Sequence, residues 1–229
     1  MLNSLRAAAL AGALTLSGNA LAGGYDLTYE VTITNITRGQ TFTPQLVTTH
    51  NTRVALFDLG EPASDALEVL AEDGGTGPLT DELLGAGYAV ADVETNGALL
   101  PPGESVTVTV TASRFHRRLS FAAMLIPTND TFVAIDSMRL PFFGSRTRLA
   151  KAYDAGTEPN DQNCANMPGP RCGGVGLSAA PEEGDEGYVY ISNGFHDLGR
   201  EDAEGNEILG PAVYDWRNPV AEVRVTRVR

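Results

Sequence analysis

Three acidic residues in two turns carry the most legible chemistry of this chain: Asp130, Asp154 and Glu158. Asp130 closes Pro127-Thr128-Asn129-Asp130, which separates the apolar runs 119–126 and 131–136. Asp154 and Glu158 bracket Asp154-Ala155-Gly156-Thr157-Glu158, which follows the run 149–153. Apolar runs broken by such turns read as buried strands that end in carboxylates. Brought to one end of a sheet, the three acids surround one point, where they repel one another unless a cation sits among them. Calcium suits such turns, because it takes six to eight oxygens from carboxylates, backbone carbonyls and water. Gly156 lets the chain fold back between Asp154 and Glu158, and Asn129 offers a further carbonyl oxygen. Residue types alone leave a second reading standing, in which Asp154 forms an Asx-turn and Asp130 a loop hydrogen bond, without an ion.

Signals for catalysis are sparse. His50, His116 and His196 are scattered, and neither Gly-x-Ser-x-Gly nor His-Glu-x-x-His occurs. Gly194-Phe195-His196-Asp197 is the one loop-like passage where a histidine and an acid adjoin, and a loop contact accounts for His196 better than a general base does. The single Trp216 suits the core of a β protein better than a binding surface. The acidic run 181–186 reads as a solvated loop, not a site. Cys164 and Cys172 are the only cysteines and lie in a Pro/Gly-rich stretch. They are expected to form a local disulfide, contributing roughly 2–3 kcal/mol through the short loop it closes.

The chain opens with what reads as a signal peptide, residues 1–22. Arg6 precedes a small apolar stretch, 7–16, and Ala20-Leu21-Ala22 has the small-x-small form of a cleavage site, so cleavage is expected near Ala22. The apolar stretch is shorter than the ~20 residues of a bilayer span, and no later segment is a transmembrane candidate. Residues 23–229 then form one domain with a secreted or periplasmic destination. Without Arg6 the chain carries 15 basic against 29 acidic residues, a net charge of −14, and Lys151 is its one lysine. That balance argues against nucleic acid, and against a bare anionic membrane, as partners.

The elements that position the acids are mostly strands. Residues 29–36, 45–49, 88–93, 105–111, 119–126, 131–136, 188–192 and 221–225 show the alternation or short apolar runs of β structure. The run around Phe132, Val133 and Ile135 is apolar on neighbouring positions, as expected of a strand covered on both faces. Residues 62–84 change period: Leu67, Leu70 and Ala71 share a helical face, with Ser64 as N-cap and Gly74-Gly75 as the stop, and a second short helix spans 79–84 with Thr80 as cap. This reads as a short helical insertion on one edge of a sheet. The fold class is therefore all-β, an antiparallel β-sandwich.

The ordered set of motifs resembles the spondin domain of F-spondin-type proteins, in its stand-alone exported bacterial form. The resemblance is carried by Pro127-Thr128-Asn129-Asp130-Thr131-Phe132-Val133-Ala134 and by Tyr153-Asp154-Ala155-Gly156-Thr157-Glu158. The opening Tyr29-Glu30-Val31-Thr32-Ile33-Thr34-Asn35-Ile36-Thr37, the turn Thr41-Phe42-Thr43-Pro44, and Tyr214-Asp215-Trp216-Arg217-Asn218-Pro219-Val220-Ala221 belong to the same set. It implies a C2-like sandwich with calcium at one end, Asp130 matching the acid of the first turn and Asp154 and Glu158 the acids of the second. The chain departs from the animal pattern at Thr131, where an aromatic is usual, at Ala134, where Gly is usual, and at Glu158, which replaces Asp. The reeler and thrombospondin-type modules that flank the animal domain are absent from the sequence.

Three functions follow as expectations. The first is an exported calcium-binding module for adhesion to an extracellular protein or glycan. The second is a secreted hydrolase acting at the calcium-bearing end, assisted by His196 and Asp197. The third is a structural envelope protein whose ion stiffens loops.

Overall fold

The strands read from alternation pair into two antiparallel layers. The computed structural model describes residues 27–174, 176–177 and 184–228; the expected leader and residues 181–183 of the acidic run lie outside them. In chain order the elements are β1 (Leu27–Asn35), β2 (Thr41–Phe42), β3 (Gln45–His50), α1 (Asp65–Asp73), α2 (Gly77–Gly85), β4 (Val90–Asn96), β5 (Ser105–Ala112), β6 (Arg118–Ile126), β7 (Thr131–Arg139), β8 (Ser145–Asp154), α3 (Gly169–Cys172), β9 (Tyr190–Ile191), α4 (Pro211–Tyr214) and β10 (Ala221–Arg227). One layer has the order β4-β3-β6-β7-β8 and the other β8-β10-β1-β5.

β8 belongs to both layers. Its second half, from Lys151 to Asp154, pairs with Ala134 to Thr131 of β7. Its first half, from Ser145 to Ala150, pairs with β10. This single strand turns the sheet over on itself, and the sandwich interior fills with the inward rows of both layers. Tyr29, Val31 and Ile33 of β1, Val108 and Val110 of β5, and Val223 and Val225 of β10 meet Phe121, Leu125 and Val133 of β6 and β7. Full burial of each such side chain contributes about 1.5–3 kcal/mol.

The near-continuous apolar run of β6 and β7 has a physical reason: both faces are covered, as the sequence predicts for β7. The outward row carries Ala122 and Ala134, which are directly cross-strand neighbours, and Phe132 beside them. Those two small side chains leave room for α1, whose Leu67, Leu70 and Ala71 are fully buried against this face. The helical insertion therefore packs on the face of the sheet, not on its edge. Ser64 caps α1 as expected, accepting the Leu67 N–H at 3.3 Å, and Gly74 ends it in the left-handed region with φ 71°. Thr80 is not a cap. α2 begins at Gly77 with Pro78 in its first turn, and the Thr80 hydroxyl donates back to the Thr76 carbonyl at 2.8 Å.

Cys164 and Cys172 form the expected disulfide. The bridged segment is tied to the 193–219 passage by Arg171, whose guanidinium pairs with both Glu207 carboxylate oxygens at 2.6 and 2.8 Å and donates to the Tyr214 hydroxyl at 2.8 Å. Trp216 is a core residue, 7% exposed, with its ring against Phe195.

Candidate functional site

The pairing of β7 with β8 sets Thr131 opposite Asp154, so the turn before β7 and the turn after β8 emerge at the same end. Asp130, Asp154 and Glu158 are all buried there. Asp130 is held by the second turn: its Oδ2 accepts the Thr157 N–H at 2.8 Å and the Glu158 N–H at 3.2 Å, and its carbonyl accepts the Ala155 N–H at 3.2 Å. Asp154 closes an Asx-turn, Oδ1 accepting the Gly156 N–H at 3.1 Å, while Oδ2 accepts from the Asn160 amide at 3.0 Å. Gly156 has φ +68°, and a Cβ there would run into the Tyr188 backbone. Asn129 spends its amide on Asp161 at 3.0 Å.

Two acids that the sequence reading passed over join this end. The Asn160 amide also reaches Glu186 Oε1 at 3.3 Å and the Tyr190 hydroxyl at 3.0 Å, and that hydroxyl donates to the same Glu186 oxygen at 3.1 Å. Glu186 ends the run read as a solvated loop, and it turns inward instead. Glu72, fully buried at the end of α1, adds a further negative charge near Asp130. Asp154, Asn160, Glu186, Tyr190, Ser192 and His196 line a cavity of about 100 Å³.

The electrostatic consequence is strain between like charges. Burial, and then the charges of Glu186 and Glu72, raise the Asp130 carboxyl above its usual range, against the pull of the Thr157 and Glu158 amides. Burial and the neighbouring Asp130 raise Asp154 further still. Tyr190 is pushed upward by burial and by the Asp154, Glu186 and Asp130 charges. Asp130 Oδ1 and Glu186 Oε2 are buried atoms with no hydrogen-bond partner among the described residues. Among those residues, no three His, Cys, Asp or Glu side chains stand close enough together to hold an ion as positioned. The donor chemistry nonetheless fits a hard divalent cation: all the groups are oxygens, and two of them lack a partner.

A family model, Spondin_N, matches residues 33–163, more than half of the chain. The chain belongs to the Spondin_N family. The matched segment contains Asp130, Asp154 and Glu158 but not Glu186 or Tyr190. No curated protein matches the chain. Family membership makes this spondin domain an extracellular, adhesion-type module, and no helix among its described residues is long and apolar enough to cross a membrane.

Two further groupings bear on catalysis. His196 lines the same cavity as Asp154. Its neighbour Asp197 turns its carboxylate onto the Gly199 N–H at 3.1 Å, and the backbone amides of both residues donate to Gln162 Oε1 at 2.7 Å. The pair serves its own loop. A buried constellation that no spacing along the chain announces joins His50, Ser120 and Asp136: the Ser120 Oγ lies 2.8 Å from His50 Nε2 and 3.1 Å from Asp136 Oδ1. His50 and Ser120 are both fully buried, so this spondin domain closes that hydroxyl to substrate. Alternating runs hide such groupings, because cross-strand register, not spacing along the chain, brings them together.

Proposed function

We propose that this spondin domain is an exported calcium-binding adhesion module that binds the ion at the end formed by the β6–β7 and β8 turns. Asp130, Asp154 and Glu158 hold the ion, Glu186 contributes a fourth carboxylate, and backbone carbonyls and water complete the shell. The carrying observation is Asp130: its Oδ2 is committed to the second turn, while its Oδ1 is buried without a partner among described residues, near Asp154, Glu186 and Glu72, whose like charges repel its own. A divalent ion relieves that repulsion and ties the two turns together, so it binds the native state selectively and stabilises it. The disulfide between Cys164 and Cys172 agrees with an oxidising destination. The adhesive partner is an extracellular protein or glycan.

The test is thermal melting in chelator and then in millimolar calcium, on the wild type, Asp154→Asn and Glu186→Gln. Calcium raises the wild-type melting point, and both variants lose most of that rise. Magnesium substitutes poorly, since it demands a tight octahedron and gives up water reluctantly. A wild-type melting point indifferent to calcium removes the site.

A further inference from the structure

The net charge of this spondin domain conceals how its charges are distributed. β7 runs from Thr131, beside the carboxylates, to Arg139, roughly 25 Å away at about 3.3 Å per residue. At that far end the loops 113–117 and 140–144 meet the end of β10. The Leu140 N–H donates to the Arg117 carbonyl at 3.0 Å, the Arg227 N–H to the Gly144 carbonyl at 2.9 Å, and the Arg227 guanidinium to the Phe142 carbonyl at 2.7 Å.

This end is aromatic and cationic. Phe142 and Phe143 are 58% and 79% exposed at the tip of the β7–β8 hairpin, and their rings meet edge to face at 4.6 Å. The guanidiniums of Arg117 and Arg227 lie 5.1 and 5.9 Å from the Phe142 centroid. Beside them Arg114 lies over the exposed Phe115 at 4.6 Å, and the His116 ring contacts the carbonyl of the exposed Tyr88, over which Arg53 is placed. Among the described residues the salt bridges are Arg171–Glu207 and Arg217–Asp215, both elsewhere. Asp92, on β4 toward this end, is engaged by the Thr111 backbone and hydroxyl at 2.6 and 2.8 Å. Glu30 stands exposed on β1, across from Thr226.

We propose that this end docks on an anionic lipid surface, with Phe142 and Phe143 entering the interfacial layer and the guanidiniums of Arg53 and Arg114 pairing with headgroup phosphates. The charge expectation drawn from the whole sequence is reversed locally: the guanidiniums of Arg53 and Arg114, which have no carboxylate partner among described residues, complement phosphate, and protruding apolar rings add burial that phosphate alone does not supply. The rings of Phe142 and Phe143 are inclined at 75°, so they offer a wedge, not the flat platform on which a sugar ring stacks. Docked this way, the domain carries its carboxylate end away from the surface, free for another partner.

The experiment is co-sedimentation of the full mature chain with phosphatidylcholine vesicles and with vesicles containing phosphatidylglycerol, in chelator, so that calcium bridging is excluded. The wild type binds the anionic vesicles and not the neutral ones, and half-molar salt releases most of it. The double variant Phe143→Ser with Arg114→Glu binds roughly tenfold more weakly or worse, with an unchanged circular-dichroism spectrum. Arg200→Glu, a matched charge reversal in a distant loop, binds as the wild type does. Equal binding to both vesicle types, or a double variant that binds like the wild type, overturns the proposal. Retention on a sulfated polysaccharide without vesicle binding overturns it too, by naming a different occupant.

Discussion

The Asp130 carboxylate holds the backbone of Glu158: Oδ2 accepts the Glu158 N–H at 3.2 Å, across a sequence separation of 28 residues. One acid of the first turn thus shapes the second turn, and only its other oxygen is left for an ion. The structural role of Asp130 and the ligand role proposed for it fall on different atoms, which makes them separable.

Asp130→Ala leaves the Thr157 and Glu158 amides without their acceptor and is expected to cost about 2–4 kcal/mol with or without calcium. Asp130→Asn keeps an acceptor oxygen for those amides and relieves repulsion, so in chelator it is expected to cost less than about 1 kcal/mol. In calcium it loses the stabilisation that the wild type gains. Urea unfolding of both variants in the two conditions checks the split, and an Asn variant with the full calcium response would remove Asp130 from the ligand set.

Gly156→Ala combines a left-handed backbone angle with a collision against the Tyr188 backbone. Destabilisation of about 2 kcal/mol or more is expected, together with weaker calcium binding, because the turn carrying Glu158 shifts. Urea titration gives the first quantity and calorimetric titration the second. A cost below about 0.5 kcal/mol would show that the turn relaxes freely.

His50 makes stability depend on pH. Burial holds its ring below the ordinary histidine value, opposed by the Asn51 carbonyl and the Asp136 charge, with Arg118 and His116 adding to the depression. A depressed folded-state pKa means that the unfolded chain takes up the proton first. The contribution is therefore complete above about pH 6.5, the unfolded value, and is lost as pH falls below it. Denaturation between pH 7.5 and 5.5 is expected to show a decline in the wild type that is shallower in His50→Gln. Identical slopes would assign the pH dependence to other groups.

Cys172→Ser opens the loop that Arg171 anchors to Glu207. The expected loss is roughly 2–3 kcal/mol from unfolded-chain entropy, read as a lower urea midpoint. Treating the wild type with reductant should reproduce it, and a variant as stable as the wild type would assign the bridge no role in stability.

Much of this fold is legible along the chain because strands announce themselves locally. The alternation of Tyr29, Val31 and Ile33, and of Val106, Val108 and Val110, is a period-two record of one wet and one dry face. The Ser64 cap, the Gly74 stop and the cysteine pair are equally local, each depending on residues within a few positions. The insertion's place along the chain is legible in its period, but its seat on the face of the sheet is not, since the room that Ala122 and Ala134 make together exists only once β6 and β7 are paired.

The candidate site divides the same way. By itself the sequence places Asp130, Asp154 and Glu158 in turns at strand ends, because turn chemistry is written in neighbouring Asp, Gly and Asn residues. Only the tertiary structure brings in Glu186 and Glu72, from a loop and a helix whose own patterns describe a solvated run and an amphipathic face. Charge shows the contrast most clearly: composition gives a net acidity, whereas the separation of an acidic end near Asp154 from an arginine-rich end near Phe142 is set by strand direction. Electrostatic energy depends on distance in space, and a one-dimensional count of charges carries no information about that distance.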